Sequence, residues 1–172
     1  MIKALFVVAQ RGYQDQEYGV PKQILEEKGI EVVTASKEGG TCVGAQGGMI
    51  KDSISLADVK IDVYNLIVFI GGSGAQAYSS DEEALNIARE GFNHYKLLGA
   101  ICIAPIILAR SGVLRGRKAT VWNKDGRQEA ILSNSGAKYT GEAVTVDGKI
   151  VTANGPEAAS EFARTLLRIL KI

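Results

Sequence analysis

The sequence predicts an α/β fold in which a mainly parallel sheet is covered on both faces by helices. Three observations point there. Short β-branched runs alternate with amphipathic segments, several of those segments open on helix-start signals, and one apolar run passes through a small-residue turn straight into a helix. In chain order, Ala4–Val8 is an unbroken apolar run of strand length, as a strand buried on both faces requires. A helix is expected over Gln16–Lys28 and a second strand at Ile30–Ala35. Gly39–Gly48 reads as a glycine-rich loop region with short strands of its own. Leu66–Ile70 is another buried strand. Ser80 and Glu83 then form a capping box, ahead of Leu85, Ala88, Phe92 and Tyr95 at helical spacing. Val144–Val146 and Lys149–Val151 flank Asp147-Gly148, a pair suited to a type I′ hairpin turn. Gly155-Pro156 opens a last helix that turns Phe162, Leu166, Ile169 and Leu170 toward the sheet. With no internal repeat and no linker, residues 1–172 are read as a single domain.

Composition excludes several classes of function. The chain has 172 residues, 46% of them hydrophobic and 23% charged, with a net charge of +1. Lysine and arginine are interspersed with acids, which gives no footprint for nucleic acid. No apolar run is long enough to span a bilayer, and Ala4–Ala9 is too short for a signal-peptide core and lacks a cleavage site. No membrane partner and a cytoplasmic location are therefore expected. Two cysteines, Cys42 and Cys102, make no disulfide framework, and the single histidine, His94, makes a zinc site improbable, so no metal is expected.

The most informative stretch is Leu97–Ala109, read as strand, turn and helix with Cys102 at the elbow. Ala100 and Ala104 give the pattern small-x-Cys-x-small, the thiol counterpart of the Gly-x-Ser-x-Gly elbow, where bulk would clash in the tight turn. Pro105 suits a first helical turn, where a missing N–H costs nothing. Unpaired N–H groups and the helix dipole favour an anion on sulfur, so the thiol is expected to be acidic. The competing reading is a buried structural cysteine. Active sites of open parallel sheets gather at the carboxyl ends of strands. Residues 9–17, Gly71–Gly74 and the elbow all qualify. Gly72-Ser73-Gly74-Ala75-Gln76-Ala77 also satisfies a dinucleotide fingerprint in form. However, the helix signal starts near Ser80, and no acidic residue ends the next strand. A turn near the elbow explains the same glycines.

Several motifs recur in one order: Glu17-Tyr18-Gly19-Val20-Pro21, Gly71-Gly72 after an apolar strand, Ala100-Ile101-Cys102 followed by Pro105, Ser111–Lys118, and the Gly155-Pro156 helix. On these, over nearly its whole length, the chain resembles the ThiJ/PfpI superfamily, which includes parkinsonism-associated deglycase-like proteins and archaeal intracellular peptidases. The resemblance implies a flavodoxin-like three-layer sandwich and a homo-oligomer, either a dimer or a hexamer of dimers. It matches Cys102 to the family nucleophile and Glu17 to the glutamate whose carboxyl approaches that sulfur. A carboxyl held protonated beside a thiolate donates to the sulfur and can exchange a proton with a carbonyl or enediol. Gly72, with Gly71 before it, and Ile103 would present backbone N–H groups to an oxyanion.

This chain departs from the family in its accessory groups. The peptidase-like histidine after the elbow is Ile103, the glutamate near the double glycine is Gln76, and the deglycase-like histidine is replaced by Trp122 or Asn123. His94 is read as a surface residue near a helix C-terminus. A Cys-Glu site rimmed by Ile103 and Trp122 suits a small carbonyl substrate better than a peptide. The first hypothesis is a cysteine-dependent small-carbonyl hydrolase or lyase of glyoxalase III or deglycase type, without cofactor, the substrate class being supplied by the resemblance. The second is a redox-sensing or stress-protective binding protein with an oxidisable Cys102. An intracellular cysteine peptidase is a third. Tyr13, Asp15 and Asn123 are further pocket candidates; Arg11 could face an anionic ligand but reads first as a solvated loop arginine, and Cys42 reads as an incidental loop cysteine.

Overall fold

A computed structural model describes residues 1–172. It opens with β1 (Lys3–Val7), β2 (Arg11–Tyr13), α1 (Asp15–Glu26), β3 (Glu31–Ser36), β4 (Gly40–Gly44) and β5 (Met49–Ser55). Next come β6 (Leu66–Phe69), α2 (Glu82–Asn93), β7 (Leu97–Ile101), α3 (Pro105–Ser111), β8 (Lys118–Ala119) and α4 (Arg127–Asn134). β9 (Lys138–Tyr139), β10 (Val144–Asp147), β11 (Ile150–Ala153) and α5 (Ala159–Leu170) complete the chain. One sheet runs in the order β10-β11-β7-β6-β1-β3-β5-β4-β2, and β8 pairs with β9 separately. The strands from β11 to β5 are parallel to one another; β10 adds antiparallel at one end, and at the other β4 adds antiparallel and carries β2 parallel to itself.

Strand periodicity sorts the core into two layers. Leu5, Val7, Ile67, Phe69 and Leu98 face α2 and α3, meeting Leu85, Ile107 and Leu108. Their neighbours Phe6, Val8, Leu66, Val68 and Ile70 face the other way, onto Leu25 and the α5 residues Phe162 and Leu166. The expected sandwich with helices on both faces is therefore present, and the central strands are apolar throughout because both faces are buried. Within α1, Pro21 removes the N–H that would have bonded the Glu17 carbonyl one turn earlier.

The structure corrects local details. Helix α2 is capped by Asp81, whose Oδ1 accepts from Glu83 N at 3.0 Å and Ala84 N at 3.2 Å; Ser80 instead ends a 3₁₀ segment, Ser73–Ser80. Tyr95 is outside that helix with φ 56° and 80% exposed, because the chain leaves helical geometry at His94. Gly148 alone in the β10–β11 turn has a positive φ, 57°, so the turn is not type I′, which needs two such residues. The Gly155-Pro156 segment begins as a 3₁₀ turn, and α-helix starts only at Ala159. Cys42 sits on β4, fully buried with its Sγ 3.4 Å from Ser53 Oγ, not in a loop. The glycine-rich region is largely the β4–β5 antiparallel pair, and its strand register turns Cys42 inward.

Candidate active site

Cys102 follows β7 directly and is one of three non-glycine residues with positive φ, at 62°. A non-glycine residue there costs on the order of 1–2 kcal/mol, so the surrounding chain must hold it. It is held from both sides. Cys102 N–H donates to the Ala153 carbonyl at the end of β11 (2.9 Å), and the Cys102 carbonyl accepts from Trp122 N–H (2.8 Å). Ala100 and Ala104 are completely buried beside the turn, which is why both are small. Gly72 and Ile103 direct backbone N–H groups at the sulfur.

Glu17 reaches the same point from α1. β6 lies between β1 and β7, so the loops that leave the carboxyl ends of these three strands adjoin. Glu17 is completely buried, an exceptional position for a glutamate without an ion-pair partner. Gly71 separates it from the cysteine. A Cβ added there would come within 2.5 Å of Glu17 Oε1, 2.7 Å of Cys102 Cβ and 2.8 Å of the Ile101 carbonyl oxygen. Gly72 has φ 110°, and a Cβ there would strike the main chain at Gly12 and Gln14. Chain-against-chain packing, not a dinucleotide, therefore accounts for these glycines. Gly71→Ala is expected to destabilise the fold by about 1–3 kcal/mol through overpacking and to force Glu17 away from Cys102. Urea denaturation and Cys102 alkylation measured together check both effects.

Burial dominates the electrostatics. Neither Glu17 carboxyl oxygen has a hydrogen-bond partner of good geometry. Desolvation pushes Glu17 up to about 8, only partly offset by the Cys102 thiol and the Gly71 N–H. The Cys102 thiol is pushed up to about 12 by burial first and the Glu17 charge second, against the Ile103 and Gly72 N–H groups. This corrects the expectation of an acidic thiol: α3 has only 7 residues, and its N–H groups do not outweigh desolvation beside a carboxyl. At neutral pH the pair holds both protons, and Glu17 is the first to yield one.

The sulfur opens on two recesses. The smaller, about 260 Å³, is lined by Gly72, Ser73, Gln76, Cys102, Ile103 and Trp122. The larger, about 530 Å³, joins Cys102, Trp122 and Asn123 to Gln14, Tyr139 and Asn154, among others. Trp122 borders both. Asn123 lines the larger recess, but its amide is committed to Glu129, accepting from N–H at 3.0 Å and donating to Oε2 at 3.2 Å. Gln14, Tyr139 and Asn154 were not singled out by sequence. The available signals were position alone: Gln14 precedes the Glu17 helix, and Asn154 directly follows β11 at the carboxyl ends of the strands.

A sequence model of the DJ-1/PfpI family matches residues 2–169. The chain belongs to the DJ-1/PfpI family. An uncharacterised protein of Methanocaldococcus jannaschii is 35% identical over 170 residues, which cover 98% of this chain and 82% of that relative. A protein of Pyrococcus horikoshii named a deglycase is 33% identical over 170 residues, covering 99% of this chain and 100% of the relative. Among solved structures, a ThiJ/PfpI domain protein from Brachyspira murdochii superposes with a TM-score of 0.94 at 28% identity, covering 98% of this chain and 96% of the other. DJ-1beta of Drosophila melanogaster gives 0.87, also at 28% identity, covering 98% and 90%.

Other candidates fall outside the Cys102–Glu17 cluster. His94 caps the C-terminus of α2, with Nδ1 2.7 Å from Asp62 Oδ1, so the only histidine of the chain does not accompany Cys102. Arg11 borders a different recess with Lys37 and Tyr78. Tyr13 is buried against Tyr18, and Asp15 accepts from Gln46 N at 2.8 Å and Gly48 N at 2.7 Å, fastening the β4–β5 turn. No helix is long and apolar enough to cross a membrane.

Proposed function

We propose that this protein is a cysteine-dependent hydrolase or lyase of small carbonyl compounds, of glyoxalase III or deglycase type, with Cys102 as nucleophile and Glu17 as the proton-transfer group. The observation that carries the proposal is the Glu17 carboxyl, buried with no ion-pair partner and set against Cys102 across Gly71. Burying such a group costs stability, and a pKa near 8 suits a general base working close to neutrality. The deglycase-named relatives support the substrate class.

With methylglyoxal as substrate, Glu17 carboxylate takes the Cys102 proton as sulfur adds to the aldehyde carbon, giving a hemithioacetal. The Gly72 and Ile103 N–H groups receive the developing oxyanion. Glu17 then carries the proton from the former aldehyde carbon to the neighbouring carbonyl carbon through an enediol, which leaves a thioester. Water cleaves the thioester to lactate and free thiol. One carbon is oxidised and its neighbour reduced by the same two electrons, so no external oxidant or reductant enters.

The test is lactate formation from methylglyoxal by the purified protein without glutathione. Turnover is expected to rise about tenfold per pH unit below 8 and level off above it, because ionised Glu17 is the active form. Absence of lactate overturns the proposal. If Cys102 is then readily oxidised to a sulfinate by peroxide, the redox-sensing reading replaces it.

A further inference from the structure

We propose that Gln14 is a substrate-binding residue of this site, its side-chain amide N–H₂ donating a hydrogen bond to an oxygen of the bound carbonyl compound. This rests on the reading of Cys102 and Glu17 given above. Gln14 is the N-cap of α1, and its Oε1 accepts from Glu17 N–H at 2.7 Å. Its own main-chain N–H donates to the Gly71 carbonyl at 2.9 Å. The residue therefore touches both the element that carries Glu17 and the glycine that separates Glu17 from Cys102.

Glutamine is not among the preferred N-cap residues, since serine, threonine, aspartate and asparagine all satisfy the exposed N–H with a shorter side chain. Capping alone does not account for its length. Because the Glu17 backbone N–H can only be met by the amide oxygen, the amide nitrogen must point the other way. Gln14 is half-buried and lines the larger recess together with Cys102. Its nitrogen has no hydrogen-bond acceptor within the chain. The Asn123 amide in the same recess is already committed to Glu129. Gln14 is thus a fixed donor in the recess that Cys102 also lines. Gly72 and Ile103 serve the oxygen on the carbon under attack, and Gln14 is placed for a second oxygen on the same substrate. A compound with two adjacent oxygens, such as an α-oxoaldehyde, uses all three donors.

The experiment compares wild type with Gln14→Asn. Asparagine caps at least as well and adds no charge, but its shorter side chain withdraws the NH₂ by one methylene. A purely capping role leaves KM for methylglyoxal unchanged. The donor role raises KM or lowers kcat/KM by about 3- to 10-fold, as loss of one neutral hydrogen bond does, at unchanged or higher thermal stability. A second readout does not need turnover: alkylation of Cys102 by iodoacetamide, whose amide oxygen enters the recess, is normalised to alkylation by iodoethane, which has no oxygen. A fall in this ratio in Gln14→Asn is expected. A ratio that does not change overturns the proposal, whether or not methylglyoxal is turned over, so the two readings fail separately.

Discussion

Cys102→Ser is expected to lower methylglyoxal turnover by at least about 10³-fold, in line with the loss of other enzyme nucleophiles, while the fold persists. Serine has nearly the same volume and tolerates the elbow no worse than cysteine. The contacts that hold φ at 62° are made by the main chain, from Cys102 N–H to Ala153 and from Trp122 N–H to the Cys102 carbonyl, and they survive the substitution. What changes is chemistry, because a serine hydroxyl is less acidic and a weaker nucleophile than a thiol in the same position. Lactate formation is the measurement, with urea denaturation as the control for folding. Retained turnover would remove Cys102 from the mechanism. Cys42 is no substitute, being fully buried on β4.

Glu17→Gln separates activity from stability in opposite directions. Turnover falls about 10²- to 10⁴-fold because the proton carrier is gone. Stability rises with pH relative to wild type. The sign follows from linkage: the folded-state pKa of Glu17 is raised from 4.5 to about 8, so the unfolded chain releases this proton first as pH increases. Wild type is unburdened below about pH 4.5, loses stability progressively above it, and carries the full cost above about pH 8. At pH 7 the cost is about 3 kcal/mol, from roughly 2.5 pH units at 1.36 kcal/mol each. Glutamine has no proton to lose. Comparing urea unfolding of the two proteins at pH 4.5 and pH 7 cancels any fixed difference in packing, and the gap is expected to widen by that amount. A gap independent of pH would mean that the carboxyl is not desolvated. A residue that weakens the fold while enabling chemistry is what a functional site produces.

Much of this architecture is legible in the chain itself. The unbroken apolar runs at Ala4–Val8 and Leu66–Ile70 state that their strands are buried on both faces, and helices between them leave little but a parallel sheet with crossover connections. The Cys102 elbow is equally local, because a tight strand-to-helix turn demands small neighbours and the sequence provides Ala100, Ala104 and Pro105 within it. Errors at the level of single residues were those of competing local signals. Ser80 and Asp81 both offer a cap, and only the preceding 3₁₀ segment decides between them. Cys42 stands among glycines, and only its pairing with β5 turns it inward.

The layered α/β architecture and the elbow cysteine can be read from the chain, since both depend on periodicity and on steric limits within a few residues. The protonation of Glu17 and Cys102 cannot, because it depends on residues that meet only in the folded sheet. Glu17, Gly71 and Cys102 meet because strands β1, β6 and β7 are neighbours, and their protonation follows from the water that this meeting excludes. A helix start beside a cysteine favours a thiolate in isolation, but desolvation by a whole sheet edge and a buried carboxyl outweighs it. Gln14 caps Glu17 within one helical turn, but only the fold brings it to the recess that Cys102 lines.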